Sequence, residues 1–227
     1  GLLVLIIAVF MVAYVSAQFV AGGKAFFGSF GIDQTTGVFL TAAIILSYTL
    51  LGGFVAVSKT DVIQAFCMLL ALVILQIVAI VNFGGWNAVA EAAVTWSPGA
   101  SFFDPWAAGA GAIIGWLGIG LGSPGNPHIV VRFMSIRKRE DLWFAAVIGT
   151  FWNVVLAAGA LLIGITAKAY FPFAESLPGG DAEQAFPYLA SELLHPLLFG
   201  LIIAAIFSAI MSSADSQLLV AASGIVR

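Results

Sequence analysis

The sequence predicts an all-α membrane protein of six transmembrane helices, one of them broken, and three observations carry that prediction. Of the 227 residues, 62% are hydrophobic and only 8% charged, with a mean hydropathy of +1.11, whereas a soluble domain gives about a quarter of its residues to Asp, Glu, Lys and Arg. Several apolar runs carry no charge over the ~20 residues that a bilayer-crossing helix needs. The breaks between them are short and rich in Gly, Pro, Ser and Asn, which suits helices joined by turns rather than the alternating strands of a barrel.

The elements follow in order. Helix a runs from about Leu2 to Phe27, helix b from Thr36 to Val57 and helix c from Asp61 to Val81. Turns are expected at 28–35 and at Ser58 to Thr60, where Thr60 or Asp61 is placed to cap helix c. Gly52 and Gly53 in helix b read as sites of close packing. From Asn82 to Asp104 the chain has no Lys or Arg and reads as an extramembrane loop, with Trp86, Trp96 and Trp106 as interface markers. Helix d begins near Pro105, is expected to lose its helix across Gly118 to Pro127, and resumes over Ile129 to Ile136. Helix e spans Leu142 to Tyr170. A polar loop and a short surface helix then lead to helix f, Leu197 to Val226. The whole of 1–227 reads as one transmembrane unit, with helices a to c in 2–81 and d to f in 105–227. The chain opens without Met inside an apolar run and reads as an internal piece, truncated at both ends, of a longer protein.

Orientation follows from the cations. Lys59 between b and c, and Arg132, Arg137, Lys138 and Arg139 between d and e, place those connections in the cytoplasm together with Arg227. The e–f loop is acidic, and Lys24 falls on the outer side. A bacterial inner membrane is the expected location. The single cysteine, Cys67, excludes an internal disulfide and a cysteine-based metal site, and no basic patch supports nucleic-acid binding.

Three features are candidates for chemistry. Unwound backbone at membrane depth is tolerated only where it is buried in protein or lines a cavity, so the run from Gly118 to Pro127 is either part of a solute site or a helix end with a surface loop. On helix f, Ser208, Ser212, Asp215 and Ser216 share one face by their spacing, with Ser213 and Gln217 beside them. Such hard oxygens suit a small cation, although serines also pack helices closely; Asp215 favours function, because an acid inside a membrane is costly. Asp61 is explained by capping or by cation handling. His128 and His195 read as structural. No nucleophile elbow, zinc motif or phosphate loop occurs, and Asp61 and Asp215 lack the sequence context of an intramembrane aspartyl protease pair, so no enzyme is expected. A channel is disfavoured because the polar stripe is confined to one helix.

Four segments in order, Tyr14 to Lys24, Tyr48 to Gln64, Gly118 to Arg132 and Ser208 to Ser223, together resemble the sodium:solute symporter family, most closely its sodium/proline branch. The resemblance implies a LeuT-type fold of five plus five inverted helices, with a to f as the third to eighth core helices and the first and second belonging to the same longer chain. It also implies Na+ as coupling ion, no organic cofactor, a small organic solute such as proline or a related amino acid or carboxylate, and alternating access. Sodium ligands implied on helix f are the Ala209 carbonyl and the hydroxyls of Ser212 and Ser213. Thr60-Asp61 matches a family pair linked to sodium handling, and Asp215 with Ser216 is a possible second cation site. The solute is expected against Tyr14, Gln18, Ile119, Ser123 and Asn126; where the branch carries tryptophan and tyrosine in the unwound region, this chain has Ile119 and Ser123. A proton-coupled symporter and a transporter-like sensor domain of a signalling protein are the alternatives.

Overall fold

The computed structural model describes residues 1–96, 104 and 106–226. The expected start of helix d at Pro105, the loop residues 97–103 and Arg227, expected in the cytoplasm, lie outside the described residues. All regular structure described is helical: α1 (Leu2–Phe30), α2 (Gln34–Phe83), α3 (Trp86–Thr95), α4 (Gly109–Gly122), α5 (Pro127–Met134), α6 (Asp141–Tyr170), α7 (Ala185–Leu193) and α8 (Pro196–Val226), with short 3-10 turns between. Four of these, α1, α2, α6 and α8, are long and apolar enough to cross a membrane.

Helices b and c are one element, α2, of 50 residues. A straight helix of that length would run ~75 Å at 1.5 Å per residue, far beyond a hydrocarbon core of about 30 Å. It folds back at Gly53, whose φ of 57° and ψ of −163° leave the helical region. The path proves the reversal: Ile45 packs on Ile210 and Ala214, Val57 lies around one cavity with Ser216 and Val220, and Ala71, Leu75 and Ala79 return to Ile202 and Ala205. The turn expected at Ser58 to Thr60 is therefore helical. Thr60 Oγ1 satisfies itself by donating to the carbonyls of Ala56 and Val57 at 3.2 and 2.9 Å, and neither Thr60 nor Asp61 caps a helix. Gly53 does not serve packing; it makes the turn, because only a residue without Cβ takes that backbone conformation cheaply. A methyl group at Gly53 would meet nothing within 4 Å. Gly53→Ala is thus expected to cost backbone strain alone, ~1–3 kcal/mol, read as a lower thermal midpoint of the full-length protein in detergent.

The described part of the expected loop, 82–96, is also more regular than expected. Helix continues to Phe83, Gly84 ends it with φ 103°, and α3 follows. In helix d, Gly118, Gly120 and Gly122 remain helical. Glycine costs a helix only about 1 kcal/mol per residue, whereas Pro127 lacks a donor and disfavours helical backbone at the residue before it. The break accordingly falls at Asn126, which is extended at φ −62° and ψ 129°. Helices α6 and α8 match e and f within a residue or so, and α7 is the expected short helix.

The core is built around α8, with α1 antiparallel to it. Its N-terminal turns, with Ile202 and Ala205, pack on the returning limb of α2, on α6 and on α7; its middle, Ile210 and Ala214, packs on Val15 and Ile45; its C-terminal turns, Val220 and Ala221, pack on Met11. Helices α1 and α2 approach at their glycines. A methyl at Gly23 would lie 2.7 Å from the Gln34 carbonyl oxygen, and one at Gly37 would lie 3.0 Å from the Gly23 Cα, which is the small-residue contact that lets membrane helices close on each other.

Candidate functional site

Helix α8 carries its polar residues inward. Asp215 is 0% exposed, and Ser208, Ser216 and Gln217 are buried, because α1 and the first limb of α2 cover that side of the helix. Tyr48, on that limb, donates from its hydroxyl to Asp215 Oδ2 at 2.5 Å. Ser216 Oγ lies 3.1 Å from Asp215 Oδ1 and 2.8 Å from the Ser212 carbonyl, and having one hydrogen it can donate to only one of them at a time. One turn earlier Ser212 Oγ donates to the Ala209 carbonyl at 3.3 Å. Two of the three oxygens expected to hold sodium are therefore neighbours. Ala209 itself is exposed and Ser212 and Ser213 are half-buried, so this edge of α8 is less covered than the Asp215 face.

A second group joins toward the C-terminal half of α8. Asp61, on the returning limb of α2, accepts at Oδ2 from Arg132 Nη2 of α5 at 2.6 Å, and Arg132 also donates to Ser216 Oγ. Tyr48, Asp215, Ser216, Arg132 and Asp61 thus form one connected network drawn from both limbs of α2, from α5 and from α8. Among the described residues Asp61 Oδ1, Gln64 Oε1 and Gln217 Oε1 are buried without a hydrogen-bond partner. A cavity of about 200 Å³ beside the network is lined by Val57, His128, Arg132, Ser216 and Val220 among others. The network brings together all three residues expected to handle cations, Asp61, Asp215 and Ser216. Tyr48 and Arg132 were not singled out from sequence. Tyr48 sits in an apolar run, and Arg132 reads as part of the topology signal; the one available hint was an arginine directly after Ile129, Val130 and Val131.

The residues expected to face solute fall into two groups. Tyr14 and Gln18 stand on α1, Tyr14 half-exposed; Ile119, Ser123 and Asn126 stand on α4 and the break. Helix α1 packs on α2, α7 and α8, while α4 packs on the 3-10 turn that follows it, so the described residues give these two groups no extensive common packing. A larger, mostly apolar cavity of about 440 Å³ lies nearer the N-terminal half of α8, with Ala21, Lys24, Met68, Leu156, Ile206 and Ala209 in its wall.

Its rim is latched. Lys24 Nζ donates to Asp181 Oδ2 at 2.8 Å and Glu183 Oε2 at 2.7 Å, and Gln184 Nε2 donates to the Lys24 carbonyl. Gly28 leaves room for the Gln184 side chain. The hydrogen bond from Lys24 holds the Asp181 carboxyl below its ordinary range, helped by the Glu183 amide. A carboxyl depressed in the folded state contributes stability above its unfolded value, about 3.9, and loses it as pH falls through the folded value. With spin labels at Phe30→Cys and Ser176→Cys in a Cys67→Ser background, the distance distribution is expected to be narrow at neutral pH and to broaden only when the pH falls below the ordinary carboxylate range. Lys24→Met should broaden it at every pH.

Comparison with known proteins gives a consistent result. Residues 1–227 match the pattern of the family described as the sodium:solute symporter family. Among curated relatives, sodium/proline symporters of Staphylococcus aureus strains bovine RF122 / ET3-1 and JH9 are each 40% identical over 224 residues, covering 98% of this chain and 43% of theirs. The chain spans less than half the length of those relatives. No solved structure matches it.

Proposed function

The chain belongs to the sodium:solute symporter family, a family of transporters and not of enzymes, and from that premise we propose that the full-length protein is a sodium-coupled symporter of a small organic solute, working by alternating access. The observation that carries the reading is the line of oxygens along α8, from Ala209 through Ser212 to Asp215 and Ser216, inside an otherwise apolar membrane helix. A sodium ion needs several hard oxygens and no soft ligand. Ala209, Ser212 and Ser213 are assigned as its ligands from this chain, and Asp61, Asp215 and Ser216 as the groups that draw cations toward the inner side. Further ligands belong to core helices outside this chain, as a LeuT-type 5+5 arrangement implies.

The solute is placed against Tyr14, Gln18, Ile119, Ser123 and Asn126, beside the extended backbone at Asn126 that interrupts the helix. Proline is the first solute to test, because the relatives named above carry it, followed by other amino acids and carboxylates. The connections between the limbs of α2 and between α5 and α6 are assigned to the cytoplasm, in a bacterial inner membrane. Moving one sodium inward down a 100 mV potential supplies roughly 2.3 kcal/mol, which drives the solute.

The test is uptake of labelled proline and a panel of polar solutes into proteoliposomes holding the full-length protein. Uptake that rises with an inward sodium gradient supports the reading. Uptake that follows a proton gradient and ignores sodium overturns the coupling, and binding without uptake would favour a sensor.

A further inference from the structure

The geometry points to a second role for Arg132: its guanidinium is a tethered cation that occupies the inner oxygens when sodium is absent and must leave for sodium to reach them. The inference rests on the sodium-coupled reading above and deepens it. Arg132 Nη2 bonds both Asp61 Oδ2 and Ser216 Oγ, two of the groups assigned to cation handling. A guanidinium only donates, so each contact uses an oxygen lone pair that a sodium ion would also need. Asp61 carries one negative charge, which offsets one cation at a time.

Arg132 is also the movable partner. Its side chain is 42% exposed against 11% for Asp61, so swinging out rehydrates the arginine at little cost while Asp61 stays covered. The cavity of about 200 Å³ beside it leaves the side chain room to change rotamer on its way to water. Helix α5 is eight residues long and hangs from the extended Asn126, so it can tilt without unwinding a spanning helix. The same move would break the link between α5 and α8. Sodium arrival and release of the inner closure therefore become one event, which is what coupling requires: an ion shifts a conformational equilibrium only by its difference in affinity for the two states.

The test uses purified full-length protein and radioactive sodium at equilibrium. Arg132→Gln is expected to bind sodium at least fivefold more tightly than the wild type, and Arg132→Lys, which keeps a charge on a single contact point, to fall between them. Removing a nearby charge would tighten binding even without displacement, so a second measurement decides. Spin labels at the exposed Met134→Cys on α5 and Ala222→Cys on α8, in a Cys67→Ser background, should report a longer separation on adding sodium when Arg132 is present. In Arg132→Gln, or in Arg132→Lys if the glutamine variant does not fold, that separation should already be longer before sodium is added. Unchanged or weaker sodium binding in these variants, or a separation indifferent to sodium in protein that binds it, overturns the inference. A wild type that binds no sodium at all is a different failure, and removes the proposed function itself.

Discussion

Replacing Ser212 and Ser213 together with alanine is expected to raise the sodium concentration for half-maximal uptake by the full-length protein by at least about fivefold. Each hydroxyl offers the ion one neutral oxygen, and the Ser212 hydroxyl already lies 3.3 Å from the Ala209 carbonyl oxygen, so the two are close enough to share one ion. Taking each lost contact as ~0.5–1.5 kcal/mol gives about 1–3 kcal/mol, a factor of roughly 5 to 150 in affinity. Alanine is the best helix former and both serines are only half-buried, so α8 should remain intact. Maximal uptake at saturating sodium should therefore be nearly preserved. A double variant with unchanged sodium dependence and lower maximal uptake would show that these serines serve helix packing instead.

The second large effect is expected at Tyr48. Tyr48→Phe removes the hydroxyl that donates to Asp215 Oδ2 at 2.5 Å, and Asp215 is 0% exposed, so no bulk water replaces the lost donor. A buried acceptor stripped of its partner costs ~1–3 kcal/mol, to be seen as a lower thermal midpoint in detergent. The carboxyl would retain Ser216, whose single hydrogen would then be drawn from the Ser212 carbonyl. Asp215→Asn should cost less, and adding it to Tyr48→Phe should recover part of the loss, because a neutral amide left short of a partner costs less than a carboxylate does. Strict additivity of the two changes would mean that the tyrosine and the acid are not coupled.

Much of the fold was legible because hydropathy is a local property. Helices α1, α6 and α8 could be drawn to within a few residues from their apolar runs, whereas the break expected across Gly118 to Pro127 narrows to Asn126, because glycine interrupts a helix far less than proline does. The hairpin of α2 was misplaced by a few residues because Ser58 to Thr60 is the more polar segment, yet a threonine can bond its own helix while only glycine tolerates the reversed backbone at 53. At the site, the stripe on α8 was readable from its spacing of three and four. Its partners were not, because a tyrosine in an apolar run or an arginine near a loop gives no sign of what it faces.

The sequence by itself determined a bundle of apolar helices with a polar stripe on the last one, since burial preference and helical period are carried by neighbouring residues. Only the tertiary structure decided which side of that stripe is sealed and which cations attend it. Tyr48 meets Asp215 across 167 positions of chain, Lys24 meets Asp181 across 157 and Arg132 meets Asp61 across 71. These pairings follow from the reversal at Gly53 and from α1 lying antiparallel to α8, and contacts so distant in sequence form only when whole helices pack.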